Sequence, residues 1–111
     1  MEKMDIKDAM ARLGNNKKLY AMLLKKFDGN KMMEDLKSAV SANDADGAQA
    51  QAHAIKGLAA NLSLTDLCEK AGAIEARLKD GGSTDEIDVP EIAECISATV
   101  EAVNTWLSEN Q

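Results

Sequence analysis

Apolar residues recur along the chain at intervals of three and four positions, which places them on one side of an α-helix. The pattern predicts five or six helices. These segments run from Asp5 to about Leu13, from Lys17 to Phe27, from Lys31 to Ala42, from Asp44 to Leu62, from Ser63 to about Asp80, and from Asp88 to near the C-terminus.

Short turn signals separate the helices. Gly14-Asn15-Asn16 ends the first helix, and Asp28-Gly29-Asn30 is expected to break or kink the helical run before the third. Ser63-Leu64-Thr65-Asp66 has the spacing of a capping box with Ser63 as the N-cap. Because the connections are short, we expect an all-α antiparallel four-helix bundle with one or two additional short helices at the N-terminus.

Two helices have long apolar stripes that indicate where the core lies. The stripe of the second helix is wide enough to be covered on more than one side, and its members are Leu19, Tyr20, Leu23, Leu24 and Phe27. The last helix is expected to direct five residues inward, namely Ile92, Ile96, Thr99, Val103 and Trp106.

Size and charge narrow the possible functions. The chain has 111 residues, which predicts one domain over 1–111. Its formal charge of −6 argues against nucleic-acid binding, which normally needs a basic surface. No apolar run is long enough to cross a bilayer, and Met1 to Asp5 show no apolar signal region, so we expect no membrane association and a cytoplasmic location. Every apolar stripe is needed for the bundle, which predicts a monomer.

Cys68 and Cys95 are the only cysteines. With a single histidine in the chain they cannot complete an ordinary zinc site, and no CxxC pair exists. We therefore expect reduced, partly buried thiols and no metal site in this chain.

His53 is the only histidine, and it lies away from the core side of its helix. On a helical wheel it is about 140° from the centre of the apolar stripe. That stripe consists of Ala48, Ala52, Ile55, Ala59 and Leu62. The imidazole is therefore expected to be exposed.

The neighbours of His53 on the same face favour a reactive site or a docking surface. Lys56, one turn later, would place a positive charge within reach of an anion on the imidazole. Gly57 costs about 1 kcal/mol relative to alanine inside a helix, so something other than helix stability favours it. Gly57 and Ala60 are small enough for another protein to approach, and Gln49 lies one turn before His53. A solvated histidine without a function is the simpler alternative.

Glu75 is the candidate partner of the imidazole. The short connection at residues 62–64 predicts an antiparallel hairpin, which brings His53 opposite residues 73–75. A carboxylate there would accept a hydrogen bond from one ring nitrogen and leave the other as a nucleophile. The alternative is that Glu75 pairs with Lys79, four residues later.

The segment Ala52-His53-Ala54-Ile55-Lys56-Gly57-Leu58-Ala59-Ala60-Asn61-Leu62 resembles the signature of histidine-containing phosphotransfer domains. In that family the histidine is followed by lysine at i+3 and glycine at i+4. The resemblance extends from Asp5 to about Lys79, and the last helix matches only in kind. It departs from the family at Ser63, where glycine is usual, and at Glu75, where many members have glutamine. We expect a capping serine to serve the turn equally well.

The resemblance implies a phosphorelay carrier, which is not itself an enzyme. His53 would take a phosphoryl group from the aspartate of one receiver domain and pass it to another, and some members take it from a histidine kinase directly. Lys56 would offset the phosphoryl charge, Glu75 would orient the ring, and Gln49, Gly57 and Ala60 would lie under the docked partner. The partners would be receiver domains of response regulators or a hybrid sensor histidine kinase. The Mg²⁺ would belong to the receiver, and this chain would hold no cofactor.

Two other functions remain open. The dimerisation domain of a histidine kinase also carries a phosphorylated histidine on a helical bundle, but it would need a nucleotide-binding domain. An interaction module of the same fold would bind a receiver or another protein without carrying phosphate. Such a passive binder should tolerate His53→Gln, whereas a carrier should not.

Overall fold

The computed structural model describes residues 3–110, and Met1, Glu2 and Gln111 lie outside them. Six α-helices make up the described chain, with no strand among its residues. We number them α1 (Ile6–Arg12), α2 (Lys17–Leu24), α3 (Gly29–Ser41), α4 (Ala45–Asn61), α5 (Thr65–Lys79) and α6 (Val89–Glu109). The predicted all-α class is confirmed.

Four of the helices form the bundle. The neighbours in it are α3 with α4, α4 with α5, α5 with α6, and α6 with α3, and the most extensive packing joins α4 to α5. The two short helices, α1 and α2, lie before the bundle in the chain, as the sequence predicted. The largest fully buried side chains come from the four bundle helices, from α2 and from the turn before α5, and they are Tyr20, Leu24, Leu36, Ile55, Leu64, Leu67, Ile92 and Thr99.

Polar N-caps explain where most of the helices begin. In each case a side-chain oxygen accepts a hydrogen bond from the backbone N–H three residues later, which satisfies a group that the helix itself leaves unpaired. The capping residues are Asp5, Asn16, Asp28, Asp44 and Asp88. The expected break around Asp28 is therefore the cap of α3, and that helix begins at Gly29 instead of Lys31.

The predicted capping role of Ser63 is wrong. The N-cap of α5 is Leu64, and it makes no side-chain capping bond. Ser63 instead has a φ of 56°, the left-handed backbone that favours glycine. Its hydroxyl donates to Asp8 Oδ2 at 2.7 Å. The chain reverses at Ser63 through this backbone conformation, so the side chain points toward α1 and not toward the start of α5.

The wide stripe of the second helix is only partly buried. Tyr20 and Leu24 are buried, but Leu19 is 37% exposed. The helix also ends at Leu24, and the next residues form tighter turns, with the Phe27 N–H donating to the Leu24 carbonyl at 3.0 Å. Among the described residues, Leu19 is therefore not fully covered, and the core side of α2 is carried by Tyr20 and Leu24.

The last connection contains a short 3₁₀-helix, Thr84–Glu86, which the sequence pattern did not predict. Ser83 and Glu86 form a reciprocal capping box at its start. In α6, Ile92, Ile96, Thr99 and Val103 are buried as predicted, and Trp106 is half-buried against the core.

Both cysteines are free thiols, with Cys95 buried and Cys68 half-buried. Within residues 3–110, no helix combines the length and the apolar character that a membrane span requires.

Candidate functional site

His53 projects from the middle of α4 into solvent. The apolar stripe of this helix is buried, with Ala48, Ala52, Ile55 and Ala59 all in the core. On the opposite side, 70% of the His53 side chain is exposed. The imidazole is therefore carried on a helix whose other face is fixed by packing, which holds its backbone rigidly while the ring stays accessible.

Glu75 of α5 contacts the ring from the side. Its Oε2 lies 2.5 Å from His53 Nδ1, and the glutamate itself is only 7% exposed. The pKa of the Glu75 carboxyl is lowered, first by the hydrogen bond from Lys56 and then by that from His53. An ionised carboxylate can only accept hydrogen bonds, so Nδ1 carries a proton, and in the neutral ring the lone pair lies on Nε2.

Lys56 binds the other oxygen of the same carboxylate. Its Nζ lies 2.6 Å from Glu75 Oε1. The glutamate hydrogen bond raises the pKa of the Lys56 ammonium, which therefore keeps its charge at neutral pH. No ion pair joins Glu75 to Lys79 within residues 3–110. The structure thus brings His53, Lys56 and Glu75 together, with one buried carboxylate bridging a ring and a cation.

The remaining predicted residues lie on the same side of α4. Gln49 and Ala60 are half-buried, and Gly57 is exposed. A side chain added at Gly57 would meet nothing within 4 Å, so nothing inside the described chain requires a glycine there. We call Gln49, His53, Gly57 and Ala60 the His53 face.

The His53 face has a hollow at one end and a groove at the other. The hollow, of about 440 Å³, is lined by Asp46, Gln49, Ala50, His53, Glu75 and Lys79. The groove, of about 560 Å³, runs between α1 and the α4–α5 turn and includes Asp8, Arg12, Ala60 and Cys68. Within residues 3–110, no cluster of three or more histidine, cysteine, aspartate or glutamate side chains could hold a metal ion.

A family model of the Hpt domain matches residues 26–106, which is well over half of the chain. The chain belongs to the Hpt domain family. The match includes His53, Lys56, Gly57 and Glu75, whereas α1 and α2 lie outside it. Comparison with curated proteins gives no match, and neither does comparison with solved structures.

Membership gives this Hpt domain a general role. Domains of the family are phosphocarriers in two-component signalling, and they interact with the receiver domains of response regulators. The exposed ring of His53 is the only imidazole in the chain.

One residue of this site was missed by the sequence reasoning. Gly72 lies in the middle of α5, and a Cβ there would be 3.2 Å from Lys56 Cδ. The argument that singled out Gly57, a costly glycine inside a helix, applies equally to Gly72. What the sequence could not supply was the neighbour, because Lys56 comes from the facing helix.

Proposed function

We propose that this Hpt domain is a phosphorelay carrier, in which His53 accepts a phosphoryl group from the aspartate of one receiver domain and passes it to the aspartate of another. The observation that carries the proposal is the bond between His53 Nδ1 and buried Glu75 on a ring that is otherwise 70% exposed. In the neutral ring that bond places the lone pair on Nε2, and the exposure of the side chain lets a partner reach it.

The transfer step follows from this protonation state. The Nε2 lone pair attacks phosphorus, the Nε2–P bond forms, and the bond from phosphorus to the aspartate oxygen breaks and returns its electrons to the receiver carboxylate. Positive charge develops on the imidazole as Nε2 is used. Glu75, already ionised and hydrogen-bonded to Nδ1–H, stabilises that charge.

Positioning supplies most of the remaining catalysis. Phosphoryl transfer needs the attacking and leaving atoms in line and the phosphoryl charge neutralised. A ring fixed on a packed helix meets the first requirement. Lys56, about one turn from His53, supplies a cation near the site, and we propose that Mg²⁺ on the receiver supplies the rest.

The docking surface would be the His53 face. Along the axis of α4, Gln49 lies about 6 Å before His53 and Ala60 about 10 Å after it, from the rise of 1.5 Å per residue. Small side chains at Gly57 and Ala60 let a partner helix lie close to α4. No described atom of another element lies within 4 Å of a Cβ at Gly57, so that space is open.

Labelling by charged receivers tests the proposal. Receiver domains loaded with acetyl phosphate and Mg²⁺ are mixed with the purified domain, and the modified residue is located by mass spectrometry. We expect label that is labile in acid and stable in alkali, on His53 alone, and none on His53→Gln. A domain that binds receivers equally well as wild type and as His53→Gln, but takes no label, would instead be a passive interaction module.

A further inference from the structure

Lys56 reaches its partner by crossing α5 at a position that has no side chain. A Cβ built on Gly72 would lie 3.2 Å from Lys56 Cδ and 3.9 Å from Lys56 Cγ. The first distance is shorter than ordinary van der Waals contact. The aliphatic part of Lys56 therefore lies against the backbone of α5, so close that it would have to move by a few tenths of an ångström to admit even a Cβ at position 72.

Gly72, where the Lys56 side chain crosses α5, lies about one helical turn from Glu75, to which the lysine binds. Gly72 precedes Glu75 by three residues, so both lie on the same side of α5. From there Lys56 Nζ reaches Glu75 Oε1 at 2.6 Å, while Oε2 holds His53 Nδ1 at 2.5 Å. Across the α4–α5 interface, Gly72 therefore contacts Lys56, Lys56 binds Glu75, and Glu75 binds His53.

No other feature of the structure accounts for a glycine at this position. Inside a helix it costs about 1 kcal/mol relative to alanine. Its φ is not in the positive range that only glycine adopts readily. Beyond its own helix and chain neighbours, the only described atoms within 4 Å of its Cβ position belong to Lys56.

We propose that Gly72 is a positioning residue for the His53 site: it opens the path along which Lys56 reaches Glu75, and the lysine in turn fixes the rotation of the carboxylate that holds the imidazole. The inference rests on the proposed role of His53 as phosphoacceptor. Glu75 has one oxygen for each partner. When Lys56 holds Oε1, the carboxylate plane is set and Oε2 points at Nδ1; without the lysine the carboxylate is free to turn.

The experiment compares Gly72→Leu with Ala73→Leu. Ala73 is the next residue of α5 and is exposed, so its variant places the same leucine side chain on the same helix, away from Lys56 and Glu75. Three readouts are taken on each: the titration of the Glu75 carboxyl by ¹³C NMR, the share of the Nδ1–H tautomer by ¹⁵N NMR of the ring, and the rate of phosphorylation by phosphoramidate, a small donor that needs no docking.

In Gly72→Leu we expect the pKa of Glu75 to rise toward the ordinary glutamate range, because the Lys56 hydrogen bond is the largest cause of its lowering. The Nδ1–H share should fall, and phosphorylation should slow by up to about tenfold, since losing a histidine's hydrogen-bonding partner costs about 10–100-fold in metal sites and Glu75 itself is kept here. Ala73→Leu should match the wild type in all three. Equal readouts from Gly72→Leu and Ala73→Leu would overturn the proposal.

A smaller variant guards against misfolding of Gly72→Leu. In Gly72→Ala the Lys56 stem must move by a few tenths of an ångström, and we expect a smaller rise in the pKa of Glu75. Gly57→Ala is its matched control for this titration, since a Cβ at Gly57 meets nothing. No difference between these two alanine variants would also overturn the proposal. The titration does not depend on phosphate, so a wild type that takes no label would count against the carrier function and leave this result standing.

Discussion

The hydroxyl of Ser63 donates a 2.7 Å hydrogen bond to Asp8, and this bond joins α1 to the turn between α4 and α5. A second bond runs the other way, from the Asp5 N–H to the Ser63 carbonyl at 2.8 Å. Arg12 completes the contact by donating to the same Asp8 oxygen at 2.9 Å. The serine thus attaches an N-terminal helix that lies outside the matched family region.

Two substitutions at Ser63 should separate the stability contributed by its bond to Asp8 from the cost of its left-handed backbone. A non-glycine residue in the left-handed region is strained by about 1–2 kcal/mol, and Ser63 has a φ of 56°. Ser63→Ala keeps the strain and loses the bond to Asp8, whereas Ser63→Gly loses both. We therefore expect Ser63→Ala to unfold at lower urea concentration than Ser63→Gly. The reverse order would show that the turn is unstrained.

Tyr20→Phe should weaken the attachment of α2. The Tyr20 hydroxyl is fully buried and donates to the Leu62 carbonyl at 2.6 Å, at the C-terminal end of α4. Removing it leaves that carbonyl unpaired, which costs about 1–3 kcal/mol of unfolding free energy. Chemical denaturation at pH 7 measures the loss. A variant as stable as the wild type would mean that water replaces the hydroxyl.

The same tyrosine predicts a loss of stability in alkali. Burial raises the pKa of Tyr20 to about 12, from the usual tyrosine value of about 10. The unfolded chain releases this proton first, so the stability that Tyr20 contributes is complete below pH 10 and is lost as the pH rises toward 12. Unfolding free energies measured across this range should fall more steeply for the wild type than for Tyr20→Phe. Parallel curves for the two proteins would contradict the assignment.

Two leucines of α2 should differ sharply when truncated. Leu24 is 1% exposed, and its replacement by alanine should cost about 2–5 kcal/mol. Leu19 is 37% exposed, so its replacement should cost less, about 1 kcal/mol of unfolding free energy. Urea titrations of both variants test this. A large loss in Leu19→Ala would mean that this side chain is covered, as the sequence pattern had suggested.

Glu75 should be replaceable by glutamine but not by leucine for phosphorylation. An amide oxygen still accepts from Nδ1–H, whereas leucine accepts nothing. The Glu75 carboxylate is the main cause of the raised pKa of Lys56, so that pKa should fall in both variants when followed by ¹³C NMR. Phosphoramidate labelling should persist in Glu75→Gln and slow by about tenfold in Glu75→Leu. Equal labelling of Glu75→Leu and the wild type would remove Glu75 from the site.

Helix periodicity and capping residues were enough to predict the fold. The stripe of α4 predicted its buried face, and the wheel position of His53 predicted an exposed ring. Two predictions were wrong: the capping role of Ser63, which depends on its backbone conformation, and the burial of Leu19, which depends on the elements packed around α2. A serine before a helix is a cap or a left-handed turn depending on the chain reversal, and Leu19 is core or surface depending on how many elements cover α2.

The length of the connection between α4 and α5 was enough to predict which part of α5 faces His53, but not the detailed contacts of the site. The short connection after α4 places residues 73–75 opposite His53, and Glu75 is where this reasoning located it. In the sequence, His53 was weighed against Lys79 as the partner of Glu75. Lys56 was not considered, and its contact with Glu75 depends on the relative rotation of α4 and α5, which loop length does not specify. Gly72 belongs to the same interface, and its role depends on the path of a side chain from the other helix.

Return transfer is the most direct test of the carrier function. The domain is labelled on His53, freed of its donor, and mixed with a receiver domain in Mg²⁺. We expect label to leave His53 and to arrive on the receiver as an alkali-labile acyl phosphate, with no transfer when Mg²⁺ is chelated. Label that stays on the domain with every receiver that binds it, or that is lost only as free phosphate at the rate seen without receiver, would contradict a carrier role.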